Sequence, residues 1–189
     1  MGASELTDLD FTMVAKLPSV RRESVLGPDS EIGATAGSGN FIFYTRAAAR
    51  RAAASREAPV IVVEDDQVVR GLLERVFKLE GLPVRAAADS REFAQHLRKP
   101  PLPRLIVLDL ELPGVNGFRI LQLVRQQAQT AEIPVVMLSG HAETKHILQA
   151  MSLGADGYLS KPVKVATLRA MLAKLVPADR KSTRLNSSH

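Results

Sequence analysis

The chain has no cysteine and no tryptophan. Without thiols, disulfide frameworks and thiolate metal sites are excluded, and a reducing compartment is permitted. Aromatic residues make up only 4% of the 189 residues, so a core has to be assembled from Val, Leu, Ile and Ala. No apolar run approaches the roughly 18 residues that a membrane-spanning helix needs. The first twenty residues carry Glu5, Asp8 and Asp10, with no basic start followed by an apolar stretch, so no signal peptide is read there. A cytoplasmic location is expected. Strong charge of one sign is also missing: the net charge is +5, and residues 58–177 hold fifteen basic and twelve acidic side chains. A solvated surface accounts for that balance, and neither nucleic-acid nor membrane binding is expected of this region.

Three composition regimes follow one another. Residues 1–45 mix Gly, Ser and Thr with scattered apolar residues and keep no period of two or 3.6. Residues 46–57, RAAARRAAASRE, are an Ala/Arg segment with helical propensity but no apolar stripe to bury, and read as a linker. Residues 1–57 are therefore expected to be a disordered leader and linker. From Pro59 the pattern changes. VIVV (60–63), PVRAAA (83–88), LIVLDL (105–110), IPVVMLS (133–139) and GYLS (157–160) read as strands. Helical patterns lie between and after them, at about 67–80, 90–97, 118–128, 142–153 and 165–176. Strands without polar alternation, separated by helices, indicate a doubly wound parallel α/β sheet. Right-handed crossovers place all the C-terminal strand ends on one edge, where open α/β sheets bind ligands. The final DRKSTRLNSSH (179–189) can be back-translated, codon for codon, into a common sequencing-adapter oligonucleotide. It is read as a scar, which leaves open whether an output domain followed residue 178 in the natural chain.

The polar residues after each strand carry the chemistry. The first strand ends in Glu64-Asp65-Asp66, the third in Asp109 and the fourth in Ser139, and Lys161-Pro162 follows the fifth. Carboxylates gathered this closely raise one another's pKa unless a cation sits among them. Hard oxygen ligands of this kind suit Mg²⁺. Lysine and a serine hydroxyl are suited to phosphoryl oxygens. A carboxylate beside such a metal can attack phosphorus and become an aspartyl phosphate. Asp66, the last of the three acids, is read as a helix N-cap.

The segments VIVVEDD, LIVLDLELPGVNGF, VVMLSG and GADGYLSKP together resemble the response-regulator receiver family of two-component signalling, across residues 58–177. The resemblance implies a flavodoxin-like (βα)5 fold with a five-stranded parallel sheet in order 2-1-3-4-5. It implies Asp109 as the phosphoacceptor and Glu64 and Asp65 as the acid pair. Mg²⁺ would be ligated by Asp65, Asp109 and the backbone carbonyl of Glu111, with Glu64 acting through water. Ser139 would be the switch hydroxyl, Lys161 the phosphate-contacting lysine, and Tyr158 the aromatic that turns inward on phosphorylation. Pro113 and Gly117 match the loop after the acceptor, and Pro162 matches a proline whose peptide bond is cis. Glu111 and His141 depart from the commonest residues at their positions and are expected to flank the approach to the phosphoryl group, modulating dephosphorylation.

The function read from this is a phospho-accepting receiver in a two-component phosphorelay, catalysing only its own phosphorylation and dephosphorylation. Its donor would be a histidine kinase or phosphotransfer protein. Its output would be a domain or downstream protein meeting the face made by the fourth helix, fifth strand and fifth helix, with a phosphorylation-dependent dimer as a further expectation. The alternatives are a receiver cut from a hybrid histidine kinase or a longer regulator, a constitutive interaction module, and a Mg²⁺-dependent phosphohydrolase. SEIGATAGSGNFIFYT (30–45) faintly resembles the closing hairpin of histidine-kinase ATP-binding domains, but the nucleotide motifs expected upstream are absent. A hydrolase of that kind resembles Asp-x-Asp-x-Thr after its first strand, whereas here the acceptor stands after the third, in LDLEL.

Overall fold

The three central runs VIVV, LIVLD and VVMLS are buried along their whole length and need cover on both sides. A computed structural model of the chain describes residues 30–35, 40–45, 57–141 and 143–176; for 30–35, 40–45 and Lys174 it describes the backbone alone. The elements are β1 (Ser30–Thr35), β2 (Asn40–Thr45), β3 (Val60–Val63), α1 (Gln67–Leu79), β4 (Val84–Ala87), α2 (Ser90–Arg98) and β5 (Leu105–Asp109). They continue with β6 (Glu111–Leu112), β7 (Val115–Asn116), α3 (Gly117–Gln126), β8 (Val135–Ser139), α4 (Thr144–Ser152), β9 (Gly157–Ser160) and α5 (Val165–Leu175).

The main sheet runs β1-β2-β9-β8-β5-β3-β4. Its five parallel strands, numbered among themselves along the chain, stand in the order 2-1-3-4-5, as expected. Alternate strand residues point to opposite faces. Ile61, Val63, Ile106, Leu108, Val135 and Met137 pack with Phe93 of α2, Phe118 and Leu121 of α3 and Ile147 of α4. Val60, Val62, Leu105, Val107, Val136 and Leu138 pack with Leu73 and Phe77 of α1 and Leu168 and Met171 of α5. Three helices thus cover one face and two the other. Among the described residues no helix is long and apolar enough to cross a membrane.

Local signals set the helix starts. Asp66 Oδ1 accepts from the backbone N–H groups of Val68 and Val69, at 2.8 and 2.9 Å, which is the capping role read for it. Asp89 caps α2 in the same way, and Asn116 Oδ1 accepts from Phe118 N to start α3.

The leader expectation differs from the structure over two stretches. β1 and β2 form an antiparallel hairpin, and β2 extends the sheet beyond β9. NFIFYT holds three of the chain's eight aromatic residues, a composition with high strand propensity. It lacks the polar alternation that would have marked it. The remainder of 1–56, with most of the Ala/Arg segment, the tail from 177 onward and Ala142 lie outside the described residues.

At the end of the sheet away from the acid cluster, Arg125 ties several elements together. Its guanidinium donates to the carbonyls of Gly154, Ala131 and Ile133 at 2.8, 3.1 and 2.8 Å. It also donates to Asp156 Oδ2 at 2.8 Å, and that oxygen accepts from Val135 N. Arg125→Met removes the cation from a nearly buried carboxylate and leaves three carbonyls without this donor. Breaking such a pair costs about 3–5 kcal/mol. Urea denaturation is expected to show a loss of that size with an unchanged slope.

Candidate functional site

The C-terminal ends of β3, β5, β8 and β9 meet on one edge, where Asp109 and Ser139 close β5 and β8 and the loops after β3 and β9 carry Glu64, Asp65 and Lys161. Glu64, Asp109 and Ser139 are buried, while Asp65 is exposed. One carboxylate oxygen from each of Glu64, Asp65 and Asp109 lies within 4.8 Å of the others. Arg70, one turn into α1, donates to the carbonyls of Glu64 and Asp65 at 2.7 and 2.9 Å, which fixes the backbone of the acid pair.

Lys161 crosses the cluster. Its Nζ donates to Glu64 Oε1 and to Asp109 Oδ2, both at 2.9 Å. The Lys161–Pro162 peptide bond is cis, and so is Pro100–Pro101, which no sequence signal had marked. Burial pulls the Lys161 ammonium down, but the hydrogen bonds it donates to Glu64 and Asp109, with the charge of those carboxylates, outweigh this and hold its pKa above the ordinary value. Burial pushes the Glu64 carboxyl up; the bond from Lys161 opposes this and the charge of Asp109 adds to it.

Glu64 Oε2 is buried and lies 2.8 Å from Lys161 Nζ, so one ammonium serves both oxygens of Glu64 as well as Asp109. Three carboxylates gathered around a single ammonium are a donor set that fits a hard divalent cation. Glu64, Asp65 and Asp109 are the carboxylates that would hold it.

After β5 the chain folds into the small β6–β7 hairpin. Its centre is Pro113-Gly114, with Gly114 at φ +76°, the residue pattern of a type II turn. The hairpin returns the chain so that Gly117 lies against the backbone of Asp109: a Cβ there would stand 2.3 Å from the Asp109 carbonyl oxygen and 2.8 Å from Leu110 Cα. Gly117 N donates to Leu110 O at 2.9 Å, and Glu111 N donates to Asp109 Oδ1 at 3.2 Å.

On the other side, His141 N donates to Ser139 Oγ at 2.9 Å. The His141 ring reaches Glu111: Nδ1 and Oε1 are 2.6 Å apart, with both side chains about half exposed. Tyr158 is fully buried and its hydroxyl donates to the His141 carbonyl at 2.5 Å. Burial pushes the Tyr158 phenol up, and a hydrogen bond with Ser139 opposes it. His146, which the sequence reading passed over, stands edge-on to the His141 ring at 5.8 Å.

The family profile of the response regulator receiver domain matches residues 60–173. The chain belongs to the receiver family. The alkaline phosphatase synthesis transcriptional regulatory protein SphR of Synechococcus elongatus is 37% identical over 134 residues, covering 65% of this chain and 51% of SphR. The phosphate regulon transcriptional regulatory protein PhoB of Klebsiella pneumoniae is 33% identical over 122 residues, covering 62% of this chain and 53% of PhoB. The chain therefore spans about half the length of the curated relatives it matches. Among solved structures, the chemotaxis protein CheY4 of Vibrio cholerae has a TM-score of 0.58 at 29% identity, over 62% of this chain and 98% of that one. The Francisella response regulator 1452 receiver domain has a TM-score of 0.56 at 27% identity, over 63% and 96%.

The chain thus carries a receiver domain of two-component response regulators, related to the receivers of longer transcriptional regulators. Its relatives are regulators rather than classical enzymes. Receivers hold Mg²⁺ at an acidic pocket, and Glu64, Asp65 and Asp109 form an acidic cluster here.

Proposed function

We propose that this receiver takes a phosphoryl group on Asp109 from a histidine kinase or phosphotransfer protein and uses it to change a protein-binding face. The observation that carries the reading is the placement of Lys161 Nζ between Glu64 and Asp109, with Asp65 at the rim. One Asp109 carboxylate oxygen attacks phosphorus, an oxygen–phosphorus bond forms, and the bond from phosphorus to the donor's nitrogen or oxygen breaks. Lys161 neutralises charge on the transferring oxygens, and Glu111 N holds the other side of the acceptor carboxylate. Mg²⁺, when bound, supplies further positive charge to the phosphoryl oxygens. In this reading Ser139 Oγ moves to donate to the product phosphoryl group, and that movement draws it away from the His141 N–H that it accepts and shifts the contacts running from His141 to Tyr158. The face that responds is made by α4, β9 and α5, which would meet an output domain, a downstream protein or a second copy.

Incubation with acetyl phosphate and Mg²⁺ should add one phosphoryl group, seen by intact mass, and omission of Mg²⁺ should prevent it. Glu64→Ala/Asp65→Ala should weaken Mg²⁺ binding by isothermal titration and lower phosphorylation in parallel. Normal Mg²⁺ affinity in that variant would remove the acid pair from the site. A phosphohydrolase would instead turn over the phosphodonor, and a constitutive interaction module would take no label at all.

The Glu111–His141 pair bears on how long the phosphoryl group lasts. Hydrolysis needs a water in line with the bond to Asp109, and the closed pair lies beside that approach. Glu111→Ala and His141→Ala should each speed loss of phosphate after the donor is removed, and the double variant should be no faster than the faster single one. Equal or slower loss in both single variants would show that the pair does not exclude water.

A further inference from the structure

β9 is the outer strand of the parallel sheet, and a bare edge offers unpaired N–H and C=O groups to any passing strand. Here that edge is taken. β2 pairs with β9 antiparallel, Phe41 opposite Tyr158 and Ile42 opposite Gly157, and β1 pairs with β2 along its whole length, from Ser30 opposite Thr45 to Thr35 opposite Asn40. β9 also links the switch to the acceptor: Tyr158 is buried against His141, and Lys161 follows the strand directly. The occupant is joined to β3 by residues 46–59 of the same chain, so its effective concentration at the edge exceeds that of a free strand.

We infer that β1 and β2 are a strap that occupies the outer edge of β9 in cis, keeps a partner strand off that edge, and favours the inward position of Tyr158. Its regulatory consequence rests on the receiver reading, since the position of Tyr158 matters only if Asp109 is phosphorylated. Linkage makes the effect reciprocal: whatever phosphorylation does to inward Tyr158, it does to the grip of the strap.

The test uses the full chain. With no Trp and only two Tyr, Tyr44→Phe leaves Tyr158 as the single strong fluorophore. In that background, Phe41→Pro/Ile42→Pro removes two neighbouring strand N–H groups, one facing β9 and the other β1. Acrylamide quenching of Tyr158 should rise severalfold, and amide exchange over residues 157–160 should quicken, while β3 and β5 stay protected. Unchanged quenching and exchange would overturn the strap. Lost protection in β3 and β5 as well would also overturn it, because the hairpin would then be part of the domain's global stability. Acetyl phosphate labelling of both proteins tests the receiver reading separately: label on Asp109 in both upholds that reading whichever way the exchange falls. Absence of label in both removes that reading and leaves the edge contact to be judged by exchange alone.

Discussion

Asp109→Asn is expected to reduce phosphoryl incorporation from acetyl phosphate to background, in a protein at least as stable as the parent. The amide is a poor nucleophile, so no acyl phosphate forms. The substitution is close to isosteric, and the change in charge favours the fold. Asp109 is one of two buried carboxylates sharing one ammonium, and its charge helps to raise the Glu64 pKa. Removing it leaves a one-to-one pair between Lys161 and Glu64 and relieves that repulsion, so the Glu64 pKa should fall, while burial, the larger cause of its rise, remains. Intact mass after labelling, with a thermal melt on the same sample, checks both halves. A label that persists in the variant would move the acceptor elsewhere, and the exposed Asp65 would be the first residue to examine.

Gly117→Ala is expected to damage the fold and the acceptor together, although Gly117 bears no chemical group. The added methyl would stand 2.3 Å from the Asp109 carbonyl oxygen and 2.8 Å from Leu110 Cα. Neither atom can rotate away, as the tip of a flexible side chain could. Overpacking costs about 1–3 kcal/mol where side chains can yield, and backbone that cannot yield puts this variant at the upper end or beyond. The relief available is to push α3 away from β5, which strains the Gly117 N to Leu110 O bond and turns the Asp109 carboxylate from Lys161. A thermal midpoint lowered by several degrees, with labelling slowed at temperatures where the protein is still folded, is the expected pair of results. Wild-type labelling in Gly117→Ala would show that the loop has more slack than this contact allows.

The parallel sheet was legible because VIVV and LIVLD lack polar alternation and each is followed by a helical pattern. The site was legible because topology brings strand ends together that are distant in sequence. Glu64, Asp109, Ser139 and Lys161 needed only the rule that strand ends meet on one edge. Other features gave no signal of that kind. NFIFYT is apolar at successive positions, so neither period marked it, and its pairing partner GYLS lies more than a hundred residues away. The β6–β7 hairpin has strands two residues long, below what a periodicity can register. Arg125 and Asp156 each read as an ordinary surface charge, because a contact across 31 residues between a helix and a loop leaves no local pattern. Arg70 was closer to view. It stands one helical turn beyond Asp66, where a long cation reaches back over the preceding carbonyls.

The clamp around Arg125 determines where the molecule can move. It joins the end of α3, the entrance to β8 and the loop before β9, all at the edge of the sheet opposite the acceptor. With that end pinned, the entrances to β8 and β9 are held together, and any rearrangement of the α4, β9 and α5 face that starts at Ser139 is expected to be largest at the other end of these strands. The domain is then a lever with a fixed heel. A reporter grafted near Gly154 is then expected to change less on acetyl phosphate treatment than one grafted beside Glu143.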